Sequence, residues 1–232
     1  MIVLGIETAT AQVGCALGGS EGTFASFAAT RGRRHAETLV PAIDFVCRQA
    51  RVELSEIGVI AVDVGPGLFT GLRVGVATAK AMAQALRVPM VGLSSLDLLA
   101  FPVRHARGLI AAVIDARRGE VFCALYRPVP GGVQRVTDPR ACAPGELATE
   151  LVAMGEDCLL VGDGAVRYAE LFDDAGHVAL GGDGLAHPSA ASLVELAHPR
   201  AIREDFVHAS ELEPTYLRKA DAQVHWEQRA SA

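Results

Sequence analysis

The chain has 232 residues, 50% hydrophobic and 21% charged, which excludes a disordered chain and leaves room for one large domain or two small ones. Its net charge of -6 excludes a protein that grips nucleic acid through its overall field, although Arg31, Arg33 and Arg34 and the pair Arg117-Arg118 form local basic groups. No run approaches the ~20 apolar residues of a membrane span, and no basic leader precedes Ile2-Val3-Leu4-Gly5-Ile6, so a soluble cytoplasmic protein is expected.

Ile2–Ile6 reads as a buried strand ending at Glu7-Thr8. Val13–Leu17 and Thr23–Phe27 follow as two more strands of an antiparallel meander, split by the turn Gly18–Gly22. A helix is expected over Ala36–Arg51, with Leu39, Ile43, Val46 and Ala50 on one face and Pro41 in its early turns. The strand Ile57–Val64 then enters the turn Gly65-Pro66-Gly67, where Pro66 fixes φ and the flanking glycines reach angles other residues resist. The helix after it runs to about Leu86 and carries small residues every fourth position: Gly71, Gly75, Ala79 and Ala83. Such a stripe admits another backbone at close range. The helix is apolar on more than one face, so it either lies wholly in the core or covers its own sheet and also meets a partner. A short strand, Met90–Leu93, and a helix capped by Ser94 or Ser95 and stopped by Pro102 complete this half.

Three meandering strands followed by alternating helix and strand match a ribonuclease H-like lobe. The pattern restarts near Leu109, with a hairpin of Leu109–Asp115 and Val121–Tyr126 and a third strand at Val133–Val136. A strand at Cys158–Val161 and helical runs near Pro144–Met154, Ala165–Phe172 and Ser189–Ala201 follow. The second half reads as a degraded copy of the first. The expected fold is α/β and actin-like/hexokinase (ASKHA), with lobes at 1–106 and 107–232.

Chemistry is sparse. The Gly65–Gly75 stretch is not a P-loop, since no Gly-Lys-Ser/Thr follows, although a helix N-terminus at Thr70-Gly71 favours anions. Gly162-Asp163-Gly164 reads as a structural turn in a place where related folds put nucleotide. Glu7, Asp63, Asp115 and Asp163 stand at or near strand ends and are the candidate magnesium ligands, yet no lysine or glycine run after Glu7 would clasp phosphates. The seven histidines (His35, His105, His177, His187, His198, His208 and His225) include no pair at helical spacing, and His35 reads as a solvated helix cap. G-x-S-x-G does not occur. Of five cysteines, Cys15, Cys123 and Cys158 lie in apolar runs and read as buried reduced thiols, which points to a reducing compartment; Cys47 and Cys142 complete the set without a C-x-x-C pair.

Four segments in order carry a family likeness. Ile2–Thr10, Gly65–Gly75, Ile114-Asp115-Ala116-Arg117-Arg118-Gly119-Glu120-Val121-Phe122 and Glu213-Pro214-Thr215-Tyr216-Leu217-Arg218 together resemble the TsaB (YeaZ) family, strongly over residues 1–125 and loosely over about 130–205. The resemblance implies a paralogue of TsaD, which transfers a threonylcarbamoyl group to N6 of adenosine 37 in tRNAs reading codons that begin with A. TsaD-like proteins carry a His-x-x-x-His metal site whose two places fall here on Ser95 and Leu99, so no catalytic site and no cofactor are expected. Leu68 stands where many relatives have Ser, and Glu7 where the superfamily commonly has Asp.

The resemblance also implies pairing with TsaD through the first two helices, about His35–Arg51 and Gly71–Leu86. The residues expected at that interface are His35, Leu39, Ile43, Gly71, Arg73, Val74, Gly75, Thr78, Ala79 and Met82. Further implied are recruitment of the ATPase TsaE, tRNA contact only through the complex, a homodimer when alone, and no membrane contact. Gly75→Arg is expected to leave the monomer folded and abolish pairing. The rival readings are an ATP-dependent kinase or carbamoyl/acyl transferase using Glu7 and Asp115 around magnesium, and a metallopeptidase.

Overall fold

The computed structural model describes residues 1–30, 34–173 and 176–218. Arg31, Arg33 and His225, noted in the sequence, lie outside them. The first lobe runs β1 (Ile2–Glu7), β2 (Val13–Gly19), β3 (Gly22–Ala29), α1 (His35–Ala50), β4 (Ile57–Gly65), α2 (Phe69–Leu86), β5 (Met90–Ser94) and α3 (Ser95–Ala100). The second contributes β6 (Leu109–Arg117), β7 (Glu120–Val129), β8 (Gly132–Arg135), β9 (Arg140–Cys142), α4 (Pro144–Met154) and β10 (Cys158–Val161). It continues with α5 (Asp163–Arg167), α6 (Ala169–Asp173), β11 (Val178–Leu180) and α7 (Ala190–Ile202).

The sheet orders are β3-β2-β1-β4-β5 and β11-β10-β6-β7-β8. Read from opposite ends they are the same: an antiparallel three-strand meander, then two strands parallel to the first. This repeated order is the two-lobed actin-like/hexokinase architecture. The second copy is the lesser one, with a three-residue β11 and short α5 and α6 in place of a long helix. The helix expected over Ala165–Phe172 is broken at Tyr168, whose φ of -110° leaves the helical region. The strands β9 and β11 were not expected, because three residues carry too little alternation to read.

Period-two alternation explains the packing. Leu4, Ile6, Cys15, Ile60 and Val62 point to one face of the first sheet, where Leu39, Ile43 and Val46 of α1 and Val76, Ala79 and Ala83 of α2 cover them. Val3, Ala16, Val59, Ala61 and Val91 point to the other, and there the cover is α7, through Ala190, Leu193, Val194, Ala197 and Ala201. The second sheet repeats the scheme. α4, α5 and α6 cover Leu109, Ala111, Val113, Cys123 and Leu160, whereas α3 of the first half supplies Leu96, Leu99 and Ala100 to Ile110, Ala112, Ile114 and Phe122.

The expected division at 106/107 therefore separates the sheets but not the helices. Residues from about 188 onward were assigned to the second lobe; they return to the first, where Val207 bridges to Met90 and Leu212 joins the core beneath α1 and α2. Each sheet has two apolar faces. α7 of the second half covers most of the inner face of the first sheet, joined there by Leu98 of α3, and the rest of α3 covers the second sheet. Each half thus lends a helix to the other.

Candidate functional site

The C-terminal ends of four strands bring together the acids singled out in the sequence. Ile6 is paired with Val62 across the parallel β1–β4 ladder, so Glu7 and Asp63 emerge side by side. Both are 0% exposed. Glu7 Oε1 accepts from the Ala9 N–H at 2.7 Å, and Asp63 Oδ1 accepts from the Gly65 N–H at 2.8 Å and from Ser95 Oγ at 2.6 Å. The second oxygen of each carboxyl, Glu7 Oε2 and Asp63 Oδ2, is buried with no partner. Burial, and then the charge of Asp63, pushes the Glu7 carboxyl well above the usual range. Burial likewise drives Asp63 up to about 7 against the pull of its Ser95 and Gly65 hydrogen bonds, with the nearby Asp97 adding to the rise.

In the second lobe Asp115 lies near the end of β6 and Asp163 follows β10. Asp163 Oδ1 accepts from the Asp115 N–H at 2.9 Å, and burial raises its pKa. Asp115 is spent on its own turn: Oδ1 accepts from the Arg117 N–H at 2.9 Å, while Oδ2 faces Arg117 Nη1 at 2.7 Å and Arg167 Nη1 at 3.5 Å. His187, close to Asp163, is driven below its usual pKa by burial, and its Nδ1 has no partner. The charge of Asp163 also adds to the rise of Glu7, after burial and Asp63. Gln12 Nε2 donates to the Pro188 carbonyl at 3.0 Å beside them.

These residues do not fit a magnesium clasp, which needs several ionised oxygens aimed at one point. Glu7 and Asp63 each spend one oxygen on a main-chain N–H of their own turn, Asp115 faces two arginines, and Asp163 is engaged by the main chain. Among the described residues no three His, Cys, Asp or Glu side chains are placed to hold a metal.

The glycine stretch before α2 serves contact rather than phosphate. The Leu68 N–H donates to the Ala9 carbonyl at 2.7 Å, and Thr8 Oγ1 donates to the Gly71 carbonyl at 2.8 Å. A Cβ at Gly67 would strike the Ala9 carbonyl, one at Gly71 the Thr8 carbonyl, and one at Gly75 Thr8 Oγ1. The backbone that the small-residue stripe admits is thus the chain's own Thr8-Ala9. Carbonyl oxygens occupy the ground near Thr70-Gly71 where an anion was considered.

The expected interface residues divide accordingly. His35, Leu39, Ile43, Gly71, Gly75 and Ala79 are buried in the first lobe; Val74, Thr78 and Met82 are half-buried, and Arg73 is exposed. His35 is no solvated cap: it is 6% exposed and its Nε2 lies 2.8 Å from the Thr10 carbonyl. Ser94 likewise makes no side-chain cap, and Ser95 spends its hydroxyl on Asp63. Outward on α2 lie Phe69, Thr70, Arg73, Ala77, Ala81 and Ala85. That second stripe, Ala77-Ala81-Ala85, has the same four-residue spacing as the glycine stripe but no glycine to mark it.

The tail passes over this face. The Thr215 N–H donates to the Val64 carbonyl at 2.6 Å, and the Tyr216 ring lies 5.3 Å from Phe69, whose other neighbour is the Arg73 guanidinium at 3.9 Å. Leu217 packs with the core beneath α3, and Arg218 Nη1 meets Glu120 Oε2 at 2.7 Å. Residues 212–218 thereby tie the first lobe to the Asp115–Glu120 hairpin, for which the sequence suggested no task.

A family model described as TsaD: tRNA N6-adenosine threonylcarbamoyltransferase matches residues 27–226. The chain is 29% identical over 228 residues to the tRNA threonylcarbamoyladenosine biosynthesis protein TsaB of Bacillus subtilis, covering 97% of this chain and 98% of that one. The chain belongs to the TsaB (YeaZ) branch of the TsaD family. The TsaB of Escherichia coli is also 29% identical, over 94% of this chain and 95% of its own. The solved YeaZ of Pseudomonas aeruginosa superposes with a TM-score of 0.80 at 29% identity, covering 93% of this chain and 99% of that chain.

Within this family the two positions matched to His-x-x-x-His can now be located. Ser95 is 0% exposed and donates to Asp63; Leu99 is 2% exposed and packs among the apolar side chains of the second sheet. Neither fits a metal ligand. Among the described residues no helix is long and apolar enough to cross a membrane.

Proposed function

We propose that this chain acts in threonylcarbamoyladenosine biosynthesis on tRNA as a subunit with no catalytic site of its own, pairing with the TsaD paralogue and helping to recruit TsaE. The observation that carries the reading is the state of Ser95 and Leu99: one hydroxyl committed to a buried acid, one side chain committed to a core. The acids that remain are engaged by main-chain N–H groups or face arginines, which supports a scaffold over the kinase and transferase alternatives.

The pairing face is the outward side of α2, with Phe69, Arg73, Ala77 and Ala81 exposed and Val74, Thr78 and Met82 half-exposed, continued by Val40 of α1. Small exposed side chains at four-residue spacing let a second helix approach closely. Covering this strip in a standard interface of ~1,600 Å² suits a stable complex. In isolation the chain forms a homodimer through the same strip, and tRNA is met through the complex. Light-scattering mass on a sizing column, for the chain alone and mixed with its TsaD paralogue, tests this. A one-to-one heterodimer replacing the peak of the chain alone is the expected result; two unmixed peaks overturn the proposal.

A further inference from the structure

A pair of thiols in the second lobe lies apart from everything above. Cys123 on β7 and Cys142 on β9 have their Sγ atoms 3.5 Å apart, within sulfur hydrogen-bond distance. β9 pairs with the first part of β7, and in its register Cys123 stands opposite Arg140 while Cys142 stands opposite Val121, so the thiols are diagonal neighbours on one face. Cys123 is 1% exposed, whereas Cys142 is part-exposed. The groups facing Cys142 are Cys123 from β7, Arg140 from its own strand and Glu146 from α4; Arg140 is itself paired with Glu150 of α4.

We propose that Cys142 and Cys123 form a peroxide-oxidisable dithiol, with Cys142 the attacking sulfur and Cys123 the resolving one. The asymmetry of the pair assigns the roles. Cys142 is the sulfur that solvent reaches and Cys123 the one the core encloses. In keeping with this, the Cys123 hydrogen bond and then the Arg140 guanidinium lower the Cys142 pKa, whereas that hydrogen bond and burial raise Cys123. The accessible sulfur is thus the nucleophilic one.

The Cys142 thiolate attacks a hydroperoxide, forming an S–O bond as the O–O bond breaks, and the departing alkoxide or hydroxide takes a proton from solvent. The sulfur, oxidised by two electrons, is then a sulfenic acid. Cys123 sulfur attacks it; the S–S bond forms, the S–OH bond breaks, and the hydroxyl leaves as water with the Cys123 proton. Diagonal neighbours on paired strands sit at the far edge of disulfide reach. Closure therefore asks β9 to shift toward β7. Among the described residues β9, three residues long, pairs with β7 alone and lies along the outer edge of the second sheet, and the proposal places the shift there.

The test is full-length reduced protein treated with a few equivalents of hydrogen peroxide, followed by peptide mass mapping, alongside Cys123→Ser and Cys142→Ser. The expected result is a Cys123–Cys142 cross-linked peptide in the wild type, a trappable sulfenic acid at Cys142 in Cys123→Ser, and neither in Cys142→Ser. Alkylation of Cys142 should run at least tenfold faster at pH 7 than that of Cys15 or Cys158, which burial raises to about 12. Oxidation spread evenly over the five cysteines, or sulfenic acid at Cys142 that persists in the wild type without a cross-link, would overturn the proposal.

Discussion

Asp63→Asn should make this protein more stable above neutral pH and take away much of its pH dependence between about pH 4 and 7. Asp63 is fully buried, and burial lifts its pKa from the usual 3.8 to about 7. A carboxyl whose pKa is raised in the folded state contributes its full stability below the unfolded value, where both states hold the proton. That contribution drains away as pH rises from about 4 through about 7, because the unfolded chain releases its proton first, and stability is level above that. At about 1.4 kcal/mol per pH unit, three units correspond to about 4 kcal/mol lost by pH 8. Asparagine keeps an oxygen for the Gly65 N–H and Ser95 Oγ but never ionises. Its Nδ2 takes the place of the partnerless Oδ2, and an unpaired buried amide costs about 1–3 kcal/mol. The balance at pH 8 is a gain of about 1–3 kcal/mol, or roughly 2–10 °C in Tm for a chain of this size. At pH 5 the wild-type acid is protonated and the gain disappears or reverses. Thermal unfolding followed by circular dichroism from pH 5 to 9 measures both curves. Parallel curves, or a variant less stable at pH 8, would refute the reasoning.

Two further substitutions separate the inward and outward faces of α2. Gly75→Ala adds a Cβ that strikes Thr8 Oγ1, so it should cost about 1–3 kcal/mol of overpacking and lower Tm by roughly 2–10 °C; an unchanged Tm would mean that the stripe does not face β1. Ala81→Arg, on the exposed side, should leave stability within about 0.5 kcal/mol and remove the heterodimer peak in light scattering; normal pairing would move the interface elsewhere.

What the sequence disclosed depended on how far each cause reaches along the chain. Strand order could be read because β1, β4, β6 and β10 are continuous apolar runs and the meander turns carry glycine. The four acids could be listed because each closes such a run. The raised pKa values of Glu7, Asp63 and Asp163 could not, since they come first from burial by elements distant in the chain, with Ser95 and Asp97 reaching Asp63 across some thirty residues. The resting place of α7 was equally hidden. Its apolar face declares that it packs somewhere, while the choice of the first sheet comes from a face left bare by α1 and α2.

The small-residue stripe of α2 shows how a correct local reading acquires a wrong object. Glycine at four-residue spacing means that a backbone comes close, and here one does. Thr8 and Ala9 press on Gly67, Gly71 and Gly75, and Thr8 Oγ1 binds the Gly71 carbonyl from the same side. Sequence alone ranks this contact no higher than contact with a partner, because both demand the same absence of Cβ. The decision lies in the second stripe. Ala77, Ala81 and Ala85 point outward, about half a turn from the glycines, and alanine is the best helix former as well as a small side chain. The glycines seat α2 on its own sheet at a cost in helix propensity, and the alanines restore that propensity while leaving a flat outer face. One helix therefore carries two stripes of small residues, and the glycine-marked stripe is the one already filled.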